Sequence, residues 1–172
     1  MTPDSPVAAA DRSGLLASVA ERLYRVGTDT QRFTARYARA RGLLLSEVHA
    51  LVELAVAELR GAVATPRDLG QALMLTSGAV TALVDRLEVH GLVFREQDRA
   101  DRRRVRLRCA ADGRMVVDDL AHRFEARTHR LVAWMPADEL AVVDRFLRAV
   151  DPLTGGPEPH TALPSPRAAS SH

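Results

Sequence analysis

The chain contains no lysine, and all 24 of its basic residues are arginine. It has one cysteine, which excludes an intramolecular disulfide and any metal site built from several cysteines. An apolar run of about 18 residues is missing, so a membrane-spanning helix is not predicted. The N-terminal residues lack the basic-then-apolar pattern of a secretory signal, which makes a cytoplasmic location the expectation.

Catalytic motifs are also missing. We find no Gly-x-Ser-x-Gly, no glycine-rich phosphate loop and no cysteine with an evident histidine partner. We therefore expect no enzymatic activity, no cofactor and no metal. Apolar residues make up 47% of the chain and charged residues 27%, as in one globular domain, and the net charge is only +2. Any affinity for nucleic acid must therefore come from a local cluster of charge.

One stretch, residues 76–91, is patterned as a helix with a nearly bare outer face. Thr76 or Ser77 can cap its N-terminus, and Gly91 is placed to take the left-handed conformation that ends a helix. Small residues dominate the side opposite the apolar stripe. The stripe follows the i, i+3, i+4, i+7 spacing of a helix and consists of Val80, Leu83, Val84 and Leu87.

The flanking sequence indicates a winged helix. Before the stretch, Thr65 can cap a short helix with Pro66 at its first position and Asp68 in its first turn. Two short helices joined by a tight turn form a helix-turn-helix, whose second helix can enter a major groove. After it, residues 92–96 and 105–109 are patterned as strands that enclose an arginine-rich loop.

The remaining segments are mostly helical. Ser46 is a plausible N-cap for a helix over residues 47–59, and residues 62–64 are patterned as a short strand. Asp151 and Pro152 are expected to stop the last helix. The other predicted helices run from Asp11 or Ser13 to Arg41, over residues 111–135, and over residues 136–150.

Residues 12–150 resemble the MarR family of winged-helix transcription regulators. The motifs that carry the resemblance lie in the two helices of the helix-turn-helix, in the wing and at the start of the next helix. The sequence departs from the family where Arg99 replaces a common proline and where Ala82 replaces a common polar or basic residue. The matching segments are Asp68–Leu73, Thr76–Thr81, Leu83–Glu88, Gly91–Val93, Asp98–Arg103 and Gly113.

The resemblance implies a mainly α fold, a winged helix-turn-helix with a three-helix core, a β-hairpin wing, and long N- and C-terminal helices that form a dimerisation region. It also implies a homodimer on a pseudo-palindromic DNA operator and a pocket for a small-molecule effector. The expected organisation is a flexible N-terminus over 1–10, a helical dimerisation region over 11–45 and 111–150, a DNA-binding domain over 46–110, and a disordered tail over 151–172.

The candidate DNA contacts lie on the second helix and on the wing. Between positions 95 and 108 there are seven arginines and three acids, a local net charge of +4. Hydroxyl groups can contact base edges or phosphates, and arginine can hold a phosphate or enter a narrow minor groove. Asp101 orients Arg103 if the family pattern holds. The predicted contacts are Ser77, Gly78, Ala79, Thr81, Arg86, Arg99, Arg102, Arg103 and Arg104.

The candidate effector-pocket residues are Tyr24, His49 and Arg95. In relatives that bind aromatic acids, an arginine at the position of Arg95 meets the carboxylate. A salt bridge from Arg95 to Asp85 or to another acid is the alternative interpretation.

Two other regulatory mechanisms, redox sensing and metal binding, are alternatives to effector binding. Cys109 is interpreted as a core residue or as a redox sensor. His122, Glu125 and His129 share one helical face, which is typical of a solvated surface but also suits a metal ion with a further ligand. The predicted function is a DNA-binding transcriptional regulator, a repressor released by an effector. The alternatives are a DNA-binding redox or metal sensor and a winged-helix module that binds protein.

Overall fold

A computed structural model describes residues 6–97 and 105–155, with side-chain surroundings for residues 12–97 and 105–150. Within these ranges the chain forms mainly helices and one small antiparallel sheet, which confirms the predicted fold class. It divides into two compact units, residues 1–126 and residues 127–172. The elements are α1 (Pro6–Ala40), α2 (Leu45–Leu59), α3 (Pro66–Leu73), α4 (Ser77–Val89), β1 (Val93–Gln97), β2 (Val105–Cys109), α5 (Ala111–Val132) and α6 (Ala137–Gly155).

Helix α1 begins earlier than predicted. It starts at Pro6 and continues without interruption to Ala40, so the predicted start at Asp11 or Ser13 is wrong, while the flexibility expected for residues 1–10 stays a prediction. Proline suits the first helical position because its missing N–H would have no partner there. The alanines at positions 8–10 have the highest helix propensity. Residues 1–5 lie outside the described residues.

Helix α2 is capped differently from the prediction. Its N-cap is Leu44, not Ser46, which lies inside the first turn. A leucine side chain cannot accept a hydrogen bond, but the Oε2 atom of Glu47 accepts one from the backbone N–H of Leu44 at 2.7 Å. Helix α2 therefore begins with one half of a capping box, the contact from the N3 carboxylate to the N–H of the N-cap residue, and not with the N-cap hydroxyl that we expected.

The helix-turn-helix forms as predicted. Thr65 caps α3, since its Oγ1 accepts from the N–H of Asp68 at 3.3 Å, and the Oδ2 of Asp68 accepts from the N–H of Thr65 at 2.9 Å. Met74 takes the left-handed conformation, with φ of 52°, and ends α3. Thr76 then caps α4, with its Oγ1 3.4 Å from the N–H of Ala79. The tight turn fixes the start of α4 relative to α3.

The core of the first unit lies between α2, α3, α4 and the sheet. The predicted stripe of α4 is buried, and it packs with residues of α2, α3 and β2. A second cluster joins α1, α2 and α5, where the hydroxyl of Tyr37 donates to the carbonyl of Val116 at 2.6 Å. The fully or nearly fully buried side chains include Leu51, Leu54, Leu69, Val80, Val84, Leu87 and Leu107.

The two strands form an antiparallel hairpin in which Val93 pairs with Cys109 and Gln97 pairs with Val105. Gly91 precedes it with φ of 67°, which confirms the predicted left-handed conformation. The predicted strand over residues 62–64 is wrong, because among the described residues the sheet has two strands. That segment contributes one backbone bond to the sheet, from the N–H of Leu107 to the carbonyl of Ala64 at 2.8 Å.

Helix α6 is longer than predicted. It continues through Asp151 and Pro152 to Gly155, so the predicted stop at these two residues is wrong, while the disorder expected for the tail stays a prediction. A proline inside a helix removes one N–H donor and clashes with the carbonyl four residues earlier, a cost of about 3 kcal/mol, yet the helical conformation continues past Pro152. The rest of the predicted tail, residues 156–172, lies outside the described residues. Across the described ranges, no helix is both long enough and apolar enough to cross a membrane.

Candidate nucleic-acid interface

The outer face of α4 is bare, as predicted. Ser77, Gly78, Ala79 and Thr81 are all exposed, as is Ala82. A Cβ atom added at Gly78 would have no heavy atom within 4 Å, so the space beside this residue is open. A flat surface of small residues allows the helix backbone to approach another molecule closely.

One hydroxyl of this face, that of Thr81, is hydrogen-bonded within α4. The Thr81 hydroxyl donates to the carbonyl of Ser77 at 3.0 Å, one turn earlier in the helix. A hydroxyl has one donor and two acceptor sites, so Thr81 in this rotamer presents acceptors to the exterior. The amino groups of cytosine and adenine are the matching donors in the major groove.

Arg86 has an intramolecular partner that the sequence did not reveal. Its Nε lies 3.1 Å from Oε1 of Glu47, and Glu47 is completely buried while the Arg86 side chain is 51% exposed. The pair therefore joins the first turn of α2 to the C-terminal half of α4. Nothing in the sequence pattern indicates this contact, because the two residues are far apart in the chain.

Arg95 forms a salt bridge, one of the two interpretations left open by the sequence. Its Nη2 lies 2.7 Å from Oδ1 of Asp85, its Nη1 contacts Oε2 of Glu88, and its backbone N–H donates to Oε1 of Glu88 at 3.0 Å. These contacts hold β1 against the side of α4. The guanidinium of Arg95 is thus occupied by two carboxylates.

Among the described residues, Tyr24 and His49, the other two effector-pocket candidates, make no contact that would join them to Arg95 in one site. Tyr24 is 78% exposed on α1, and His49 is partly buried on α2. A cavity of about 350 Å³ does lie in the first unit, between the α1–α2 turn, the end of α4 and α5. It is lined by Arg41, Gly42, Leu43, His90, Leu92 and Val116.

A carboxylate near the end of α2 organises the base of the wing, and the sequence analysis missed it. Glu58 accepts from the backbone N–H of Cys109 at 3.2 Å, lies 3.4 Å from Nε of Arg108, and forms an ion pair with Arg114. It therefore ties α2 to both β2 and the first turn of α5. A glutamate that follows an apolar helix face resembles any solvated residue in sequence, so no pattern marked it.

The part of the wing between the two strands, residues 98–104, lies outside the described residues. It contains the predicted DNA contacts Arg99, Arg102, Arg103 and Arg104, and Asp101, which is predicted to orient Arg103. The ends of the strands that carry this loop are described, and they pair at Gln97 and Val105. The roles of the five wing residues stay predictions.

Cys109 is a core residue. It is 8% exposed and belongs to the same apolar cluster as the buried face of α4. Burial, and secondarily the carboxylate of Asp118, raise the pKa of the Cys109 thiol from its ordinary value to about 11. The thiolate is the reactive form of cysteine, so this environment suppresses redox chemistry rather than promoting it.

We expect the alkylation rate of Cys109 to rise with pH around a midpoint near 11 in the native protein. In urea the midpoint should fall to near 9, the ordinary value of the group. Because the pKa is raised on folding, its contribution to stability is complete below pH 9 and is lost as the pH rises through 11. Iodoacetamide labelling with a Cys109→Ser blank measures both midpoints. If alkylation of the native protein has a pH midpoint at or below that of the unfolded chain, the interpretation of Cys109 as a redox sensor would be supported instead.

Metal binding receives no geometric support. Within residues 6–97 and 105–155, no group of three or more histidine, cysteine, aspartate and glutamate side chains is arranged to hold a metal ion. His122 and Glu125 are exposed on α5.

The sequence and the fold are similar to those of known proteins. The model of the MarR family matches residues 41–104. An uncharacterised HTH-type transcriptional regulator of Bacillus subtilis, YcgE, is 32% identical over 136 residues, 79% of this chain and 86% of that protein. CouR from Rhodococcus jostii, solved with p-coumaroyl-CoA, is 26% identical with a TM-score of 0.60, covering 79% of this chain and 91% of its own. A MepR mutant from S. aureus, solved with an oligodeoxyribonucleotide, is 20% identical with a TM-score of 0.56, covering 78% and 97%.

Proposed function

Since the chain belongs to the MarR family of transcriptional regulators, we propose that it is a homodimeric repressor that binds a pseudo-palindromic DNA operator and is released by a small molecule. The observation that carries the proposal is the bare, exposed face of α4, joined by ion pairs to β1, the first strand of an arginine-rich hairpin. A capped helix with small outer residues fits a major groove, and a basic hairpin beside it fits the adjacent backbone.

In this proposal α4 enters the major groove with its N-terminal half. Ser77 and Thr81 contact base edges or phosphates through their hydroxyls, while Gly78 and Ala79 allow close approach. The wing places arginine in or beside the minor groove, where a narrow groove concentrates negative potential. The wing residues assigned to this role are Arg99, Arg102, Arg103 and Arg104, with Asp101 orienting Arg103.

The homodimer is supported by apolar side chains that the single chain leaves exposed on its long helices. On α1, Leu15, Leu16 and Val26 are each 61% exposed. On α6, Val142 is 54% exposed and Leu147 is 49% exposed. Contiguous exposed apolar side chains mark interaction sites. A second copy of the chain, related by two-fold symmetry, would cover them and would place two α4 helices one DNA turn apart.

Footprinting on the DNA upstream of the protein's own coding region tests the proposal. We expect a protected site with two half-sites about one helical turn apart, bound by two chains. Aromatic carboxylic acids and their coenzyme A thioesters are the first effectors to add, given that the related CouR was solved with p-coumaroyl-CoA. Protection that persists with every candidate would remove effector release from the proposal, and an unprotected region would contradict binding at that site.

Replacing Arg103 by alanine should weaken binding to all duplexes and lower the slope of log affinity against log salt concentration by about one, the expectation for one lost phosphate contact. Because phosphate contacts carry no sequence information, cognate and scrambled duplexes should lose affinity by similar factors. Salt-titrated fluorescence anisotropy on both duplexes measures the slope. An unchanged slope and affinity would remove Arg103 from the interface.

A further inference from the structure

Glu47 is a fully buried carboxylate in the first turn of α2, with 0% of its surface exposed. Its Oε2 accepts from the N–H of Leu44 at 2.7 Å and so caps the helix. Its Oε1 lies 3.1 Å from Nε of Arg86, at ion-pair distance but without the alignment of a hydrogen bond, and finds no other partner. A buried charge is costly unless it is paired, so Arg86 is what makes the buried carboxylate tolerable.

Arg86 leaves α4 on the side opposite Ser77, one of the predicted DNA contacts. Ser77 and Arg86 are nine residues apart, which is about two and a half turns at 3.6 residues per turn, so their side chains project in opposite directions. Arg86 faces α2, where Glu47 lies. This geometry does not suit an arginine whose main partner is a phosphate on the face presented by Ser77.

A second set of ion pairs holds the other flank of α4. Asp85 and Glu88 both contact the guanidinium of Arg95 on β1. Glu88 and Arg86 are two residues apart and therefore point about 160° away from each other around the helix. Helix α4 is thus held from opposite sides, by α2 through Glu47 and by β1 through Arg95.

We propose that the Glu47–Arg86 and Arg95–Asp85/Glu88 pairs form a clamp that fixes the rotation of α4 about its own axis, with Arg86 as a positioning residue instead of the phosphate ligand predicted from sequence. Apolar attraction is non-directional, whereas ion pairs on opposite flanks of a helix keep their short distances at only one rotation of the helix. The rotation of α4 decides which of its small outer residues meet the bases. The clamp therefore sets sequence discrimination, and this inference rests on the DNA-binding function proposed above.

The test compares Glu47→Gln, Arg86→Gln, the double variant and Arg86→Lys. The glutamine at 47 retains an acceptor for the N–H of Leu44, so helix α2 keeps its cap while the charge pair is lost. We expect the ratio of cognate to scrambled affinity to fall at least tenfold in each single glutamine variant, with an unchanged salt slope. The double variant should lose no more than a single one, and Arg86→Lys should recover part of the loss.

The matched control is Glu53→Gln, which neutralises an exposed carboxylate on the same helix and should change neither quantity. The clamp is overturned if Arg86→Gln lowers the salt slope by about one while Glu47→Gln binds like wild type, since Arg86 would then be a phosphate ligand. It is also overturned if the glutamine variants keep full discrimination. Should Arg86→Gln fail to fold, as judged by circular dichroism, Glu47→Gln decides.

A measurement without DNA separates this inference from the proposed function. Amide hydrogen exchange in α4 should accelerate several-fold in Glu47→Gln, while exchange in α3 should stay unchanged. If the wild-type chain binds no duplex, the proposed function fails and the exchange rates alone decide the clamp. Equal exchange in α4 of wild type and Glu47→Gln would then overturn it.

Discussion

Replacing Gly113 by alanine will destabilise the folded chain by about 3 kcal/mol, the upper end of the usual cost of overpacking a core. A Cβ atom at this position would lie 2.1 Å from the carbonyl oxygen of Leu92 and 2.9 Å from Sγ of Cys109. The carbonyl cannot move away freely, because it accepts a hydrogen bond from the N–H of Ala110 at 2.9 Å. The added methyl group therefore forces apart the start of α5 and the segment that joins α4 to β1.

Urea unfolding at a fixed protein concentration measures this loss. Gly78→Ala is the matched control, since Gly78 also lies in the first turn of a helix but has open space around its added Cβ. Alanine there should raise stability by roughly 0.5–1 kcal/mol through its higher helix propensity. Equal effects of the two substitutions would show that space at Gly113 does not limit the packing of α5.

Replacing Gly78 by glutamate should abolish DNA binding and leave the fold intact. The new side chain would start from the exposed face of α4, where an added Cβ atom has no heavy atom within 4 Å. A carboxylate near a helix N-terminus is favourable for the helix itself. Against DNA, the same carboxylate would meet phosphates and would also prevent close approach of the backbone. We expect affinity to fall at least a hundredfold, about 2.7 kcal/mol.

Two variants at the same position separate the causes of this loss. Gly78→Ala adds the smallest side chain and tests how closely the backbone of α4 must approach DNA. It should lower the affinity for DNA by less than tenfold. Gly78→Gln introduces a side chain of the same size as glutamate but without its charge. Its loss of DNA affinity should lie between those of Gly78→Ala and Gly78→Glu. Thermal unfolding should show each variant folded. Tight operator binding by the glutamate variant would place α4 outside the interface.

Much of the DNA-binding half of the fold was predictable, because its signals are local. The capping pair of Thr65 and Asp68 encodes the start of α3 within four residues. The apolar spacing in α4 determines which side is buried, and hence which side remains bare. Gly91 takes its left-handed conformation at the position where the pattern changes from helix to strand.

The contacts that orient these elements were not predictable, because they join residues far apart in sequence. In the sequence Glu47 looks like an ordinary exposed acidic residue in the first turn of a helix. Its burial depends on the packing of α4 against α2, which the local sequence does not reveal. Glu58 likewise meets Arg108 and Arg114 only once β2 and α5 are in place. The two helix-end errors have different causes: the sequence predicts a flexible segment before Asp11 although α1 begins at Pro6, and Pro152 predicts a stop although α6 continues to Gly155.

The most direct test of the account is fluorescence anisotropy of the full chain with two labelled duplexes, one from its own upstream region and one a scrambled sequence of the same composition. Both should be titrated between about 50 and 200 mM salt. The account predicts binding to the upstream duplex roughly a thousandfold tighter than to the scrambled duplex, with affinity for both falling steeply as salt rises. Equal affinity for the two duplexes, or affinity that does not respond to salt, would contradict it.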